Sequence, residues 1–427
     1  MRRKRPRPTS APMYPPAPSW PRDESAVLAE TDSVLALLLW QRARDVRLWA
    51  LAAPGGREGL FVGDDEVESA VEAGEQLAEG VAGPLRTLRA LVRFPDLVTP
   101  ADVCAACLAV AEWCEREHMP ETALHFAEAA ALADPTSARA AAVAGTACTA
   151  QAADQRAELW LVRAIRTARR TRDWEWHARA YLRLGALFYE LGDTRRARRA
   201  HGRARASATW SGHYTYAAHA HHNLLLVACA DGSFRAGAEH ARRALETYTG
   251  DFFRLPHLAH DVAVLLTYHG AHTDALALLD AVLPFIVQPS ERVAVLGTVA
   301  RAAGGTRRRE RFSEAVADVL LLEPMATMHA AGALMLCAEG AAMLGEHERA
   351  RRLATRAMEW AVRRRERDVQ RRAQRVLDGV DPRRGVPPPP ADQVAALRTL
   401  FVNRLRERGA AAGLPAAQPE KRQVIAT

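Results

Sequence analysis

The sequence predicts an all-α protein built from helical hairpins stacked in chain order. Three observations carry that prediction. Alanine and arginine dominate a chain with 49% hydrophobic and only 6% aromatic residues, a composition that favours helices and lets them approach closely. No β-branched, alternating stretch is long enough for a sheet. Turn-like glycines recur at Gly192, Gly232, Gly270, Gly305 and Gly345, spaced 40, 38, 35 and 40 residues apart, with apolar stripes of helical period on either side.

The organising stretch runs from Arg179 to Ala206, RAYLRLGALFYELGDTRRARRAHGRARA. Tyr181, Leu184, Gly185 and Phe188 share one stripe before Gly192-Asp193, and Ala197, His201 and Ala204 share one after it. The pattern resembles a tetratricopeptide repeat, with Tyr181 in place of its Trp, Phe188 in place of its Tyr and His201 in place of its Phe. The period exceeds the family's ~34 residues, as in long-period arrays of bacterial regulators and scaffolds. The resemblance implies a right-handed α-solenoid of about seven stacked repeats, because one hairpin cannot bury both its faces alone.

Residues 1–22 are basic and proline-rich, which forbids a helix and suggests a disordered arm. Residues 23–97 read as an N-terminal helical cap. One helix spans 25–52, with Leu35, Leu38, Leu39, Val46 and Trp49 inside and Arg42 and Arg44 outside. A second runs from Asp64-Asp65 towards Leu91, with a possible break at Gly83-Pro84. Thr99-Pro100 starts the first repeat, and the array with its capping helix fills 98–380. The Gly304-Gly305-Thr-Arg-Arg-Arg segment reads as a turn carrying an insertion of about five residues. Arg363 to Val380 reads as a very basic capping helix. Residues 381–390 form a proline-rich linker, and 391–427 an amphipathic helix with a frayed tail.

The formal charge of +8 leaves nucleic-acid binding through the basic termini as an alternative. The six cysteines sit in apolar helical stripes, which suits reduced thiols and a cytoplasmic protein. Cys104, Cys107 and Cys114 are buried small hydrophobes on this reading, not zinc ligands. No secretory leader is expected, and the longest apolar run, Val34 to Trp40, is too short to span a membrane.

No phosphate loop, dinucleotide fingerprint or nucleophile elbow occurs, so the expectation is no enzyme, no cofactor and no metal. Nine of fifteen histidines fall between His213 and His272. His219 and His222 project to one side of their helix, and His257 and His260 take the same relative places one repeat later; His221 points inward. In the family that side lines the concave groove. The resemblance thus implies a scaffold that binds a peptide or protein segment through Arg179, His219, His222, Asn223, His257 and His260. A ligand-sensing regulatory module acting on a separate partner is the alternative. The carboxylate clamp of some family members needs lysines that are missing beside Arg179 and Asn223.

Overall fold

The computed structural model describes residues 24–57, 60–61, 80–248, 254–326, 328–364, 366–382 and 388–411. Among the described residues it is all-α. The chain forms two compact units, residues 1–187 and 188–427. The N-terminal arm, most of the segment after Asp64, part of the proline linker and the tail lie outside the described residues.

In the first unit, α1 (Glu24–Leu28) and α2 (Ser33–Leu51) replace the single helix expected over 25–52. Asp32 ends the continuity, because its carboxylate accepts from the Val34 amide at 3.0 Å and caps α2. Arg42 is not outside the core as expected: it is 4% exposed and pairs with Asp45 at 3.0 Å. Helix α3 (Ala82–Arg93) starts where Gly83-Pro84 suggested a break. The hairpins α4 (Pro100–Arg116)/α5 (Pro120–Ala133) and α6 (Ala138–Ala150)/α7 (Asp154–Thr171) follow. Thr99 caps α4 by accepting from the Asp102 amide at 3.2 Å while its hydroxyl donates to the Asp102 carboxylate at 2.6 Å. All three cysteines of α4 are buried, and burial pushes the Cys104, Cys107 and Cys114 thiols up, so they pack as apolar side chains. Helix α2 packs across α5.

Helix α8 (Trp174–Glu190) contains the division between the units. The second unit continues with α9 (Thr194–Trp210), α10 (Tyr214–Ala230)/α11 (Phe234–Thr247), α12 (Leu255–Tyr268)/α13 (His272–Val282), α14 (Pro289–Gly305)/α15 (Arg309–Leu322) and α16 (Ala330–Leu344)/α17 (His347–Arg363). Consecutive helices pack pairwise, and first helices touch the first helices of the next hairpin: α10 on α12, α12 on α14, α14 on α16. This is the tetratricopeptide-like helical solenoid, with seven hairpins among the described residues. Val262, Leu266, Val299, Leu334 and Leu279 form one continuous core with Phe312.

The turns share one device. Each hairpin turn places one residue in the left-handed region, at Gly192, Gly232, Gly270, Arg307 and Gly345 in the second unit. Those positions are spaced 40, 38, 37 and 38 residues apart. There is therefore no insertion in the fourth turn. Gly304 and Gly305 belong to α14, and the turn is Thr306-Arg307-Arg308. Arg307, at φ 59°, takes the position that the other four turns give to glycine. Arg307→Gly is expected to stabilise the unit by roughly 0.5–1 kcal/mol through relief of that conformation. An unchanged or lower urea midpoint would show that the arginine side chain compensates.

The basic C-terminal helix is shorter than the sequence suggests. Helix α17 ends at Arg363, and α18 (Arg367–Leu377) is a separate element packed on α16 and α17. The last helix, α19 (Ala391–Ala411), packs on α13 and α12. It buries Val394, Leu397, Phe401 and Leu405 there, and Arg398 pairs with Asp274 at 2.7 Å.

A buried carboxylate ties neighbouring second helices together in each unit. Glu128 of α5 is 0% exposed; it pairs with Arg156 of α7 and accepts from the Trp160 indole at 2.9 Å. Glu323, just after α15, is 2% exposed; it accepts from Arg356 Nε at 2.8 Å and from the Trp360 indole at 2.6 Å, both on α17. The helices that supply these donors share five of eight residues locally, including the Arg and the Trp, in RAELWLVR at 156–163 and RAMEWAVR at 356–363. Arg and Trp at i and i+4 lie on one helix face, which lets one carboxylate take both.

Candidate functional site

The second unit carries a line of polar side chains that runs from first helix to first helix. Its residues lie about one repeat apart. His222 of α10 reaches Asp261 of α12, with Nε2 2.6 Å from Oδ2 and 39 positions between them. His260 of α12 reaches Thr298 of α14, with Nε2 2.9 Å from Oγ1 and 38 positions between them. Arg301 of α14 meets Glu339 of α16 at 2.6 Å. Glu339 in turn accepts from Arg372 of α18 at 3.0 Å. One face of every first helix from α10 onward is therefore joined to the next through a hydrogen bond or an ion pair.

The partners fix the protonation states. The Thr298 hydroxyl donates to the Ala294 carbonyl at 3.2 Å, so its oxygen accepts from the His260 Nε2–H. His260 Nδ1 is 3.8 Å from Asp261 Oδ1. Burial lowers the His260 pKa, only partly offset by Asp261, so the ring is neutral near pH 7. For Asp261, burial alone would raise the pKa. The hydrogen bond from His222, together with the electrostatic influence of the His222, His260 and His257 rings, outweighs it, and the carboxyl stays below its usual range. With Asp261 ionised, His222 donates through Nε2. Its Nδ1 lies 3.4 Å from the Tyr248 hydroxyl. Glu339 behaves alike: burial would raise its pKa, and Arg372 with Arg301 lowers it. The Arg301 and Arg372 guanidiniums lie 4.3 and 5.4 Å from the centre of the Tyr268 ring.

At the edge of this face, His257 Nε2 is 3.1 Å from Glu291 Oε1, with side chains 34% and 38% exposed. The His219 ring lies 5.6 Å from that of Tyr248 in a tilted contact and 6.0 Å from that of Tyr216 edge to face. Histidine, carboxylate, tyrosine and arginine thus alternate along one face of the first helices; His222, Thr298, Arg301 and Glu339 are buried and paired within the line, and His257 and Glu291 are partly exposed at its edge.

No protein-family model matches the chain, and no curated protein matches it. Among solved structures it is similar to the crystal structure of the P58(IPK) TPR domain, with 15% identity, 73% of this chain and 98% of that chain covered, and a TM-score of 0.21.

The residues singled out from the sequence fall in different places. Arg179 belongs to the first unit, where Glu175 holds it at 3.2 Å and its guanidinium lies 3.8 Å over the Trp176 ring. His219, His222, Asn223, His257 and His260 belong to the second unit. His222 is 9% exposed, because the next first helix covers it, while Asn223 is half-buried. His221 turns to its hairpin partner as expected, with Nδ1 3.1 Å from His240 Nδ1, but remains half-buried. Sequence reasoning missed Asp261, Thr298, Tyr248, Glu291 and the whole Arg301–Glu339–Arg372 set. The available signal was the repeat period itself: polar residues 38 or 39 apart on first helices. Among the described residues no cluster of three or more histidine, cysteine, aspartate or glutamate side chains is arranged to hold a metal, and no helix is long and apolar enough to cross a membrane.

Proposed function

We propose that the protein is a non-enzymatic interaction scaffold that binds a peptide or protein segment on the first-helix face of its second unit. The polar line from His222 through Asp261 and His260 to Thr298 carries this reading. The paired line fixes successive first helices against one another, so the face they form is preorganised for an extended partner and little ordering accompanies binding. The repeat architecture supports it, since stacked hairpins offer such faces without rearrangement. His257 and Glu291, partly exposed at the rim of this line, are placed to make first contact.

The test uses a photo-cross-linking amino acid at position 257, with one at Arg243 on the exposed side of α11 as comparison. A discrete protein adduct from 257 and none from 243 supports the reading. Adducts from 243 alone, or equal labelling from both, would place binding on the second-helix side. Nucleic acid as the captured species would overturn the protein-partner reading.

A further inference from the structure

The first-helix face of the second unit is already occupied by part of the same chain. Helix α18 lies on it. Arg371 reaches the α8–α9 turn, where a methyl group on Gly192 would come within 3.2 Å of Nη2. Arg372 sits on the polar line itself, presenting both Nε and Nη2 to Glu339 at 3.0 Å beside the Tyr268 ring. A buried carboxylate next to an aromatic face is the environment that recognises a guanidinium, through paired charge-assisted hydrogen bonds and the ring quadrupole. We infer that this face recognises an arginine-bearing basic segment of a partner, and that α18 supplies that arginine in cis until the partner replaces it. The inference rests on the interaction reading above and names the chemistry of the segment.

Three features fit a replaceable occupant. Helix α18 has 11 residues and buries only Ala373 and Val376 among its apolar side chains. Its arginines outnumber its single aspartate, Asp368, which pairs with Arg371 at 3.2 Å within the same helix. Glu339 keeps a partner without it, because Arg301 holds the carboxylate from α14 at 2.6 Å. Departure of Arg372 thus leaves a neutral, paired Arg301–Glu339 couple, while departure of Arg301 would leave Arg372 on a helix with few other anchors. The carboxylates of Asp261 and Glu291 further along the same face extend its preference for cationic side chains.

The experiment measures fluorescence anisotropy of a labelled peptide of residues 366–380 with the full chain. The proteins are the wild type, Arg372→Ala and Arg372→Ala/Glu339→Gln. Because the double variant leaves Arg301 unpaired and is at risk of misfolding, a second peptide with alanine at the place of Arg372 is run against Arg372→Ala alone. At least tenfold tighter binding to Arg372→Ala than to wild type, with a tenfold or larger loss for the alanine peptide, is expected. Equal binding to wild type and Arg372→Ala, equal binding of the two peptides, or no binding in any combination overturns the inference. If the peptide behaves as expected but position 257 captures no protein, the scaffold reading fails and the cis contact stands. If 257 captures a partner while the peptides do not discriminate, the arginine chemistry fails and the scaffold reading stands.

Discussion

Gly304→Ala is expected to destabilise the second unit by about 3 kcal/mol, the upper end of the usual cost of overpacking. A Cβ at Gly304 would lie 2.3 Å from the Gly340 carbonyl oxygen and 2.6 Å from its Cα. Both are backbone atoms of α16, so no side chain can rotate away. The crossing of α14 on α16 is built from small residues throughout: a Cβ at Gly297 would meet the Ala333 backbone at 2.7 Å, and one at Gly340 would meet the Ala300 carbonyl oxygen at 2.6 Å. Adding one methyl group forces the two helices apart over several turns and opens voids around Val299 and Leu334, both 0% exposed. The gain of ~1 kcal/mol in helix propensity that alanine brings is too small to offset this. Gly202→Ala separates the two effects. Gly202 lies within α9, and a Cβ there meets nothing within 4 Å. That substitution should raise stability by roughly 0.5–1 kcal/mol. Urea denaturation followed by circular dichroism reads both, and a Gly304→Ala midpoint at or above wild type would refute the close-crossing account.

The same glycines show what was legible in the sequence. The class of fold and the seven hairpins follow from composition, apolar period and turn glycines. The Gly304-Gly305 pair was legible only as a turn, because glycine marks both a left-handed turn and a close helix crossing. The true turn uses Arg307, which carries no such mark. Likewise, helical periodicity places His219, His222, His257 and His260 on one side of their helices but does not say what faces them. The answer depends on the register between repeats, which brings Asp261 to His222 and Thr298 to His260. The sequence places Arg42 outside its helix and shows Arg372 only as part of a basic helix for a related reason: an arginine is enclosed only when a carboxylate meets it. Asp45 supplies that for Arg42 one turn away, and Glu339 supplies it for Arg372 from 33 positions upstream.

Acid should weaken the protein well above the range in which its carboxylates protonate. His201 is 1% exposed, its Nδ1 has no hydrogen-bond partner, and burial pushes its pKa down to about 4. His221 is held down to about 4 by burial and by His240, and burial lowers His240, His260 and His329 as well. In the first unit His125, enclosed with Arg47 at 3.2 Å, is held down to about 3. Each of these groups has a folded pKa below its unfolded value. The unfolded chain therefore binds more protons in between, and stability is full above about pH 6.5 and falls as pH drops towards about 4. Below that, the loss passes to Asp261 and Glu339, whose pKa values are lowered in the fold. His201 alone accounts for roughly 2 kcal/mol at pH 5. His201→Leu tests this at the position where the tetratricopeptide pattern places an apolar ring. At pH 5 the variant should exceed wild type by about 2 kcal/mol more than it does at pH 8. A pH-independent difference would mean that the buried imidazole finds a way to stay protonated. An apolar side chain at 201 removes both the proton-binding group and its orphaned nitrogen, so a stabilisation at pH 8 reports the lost nitrogen and the changed packing without the proton-binding effect.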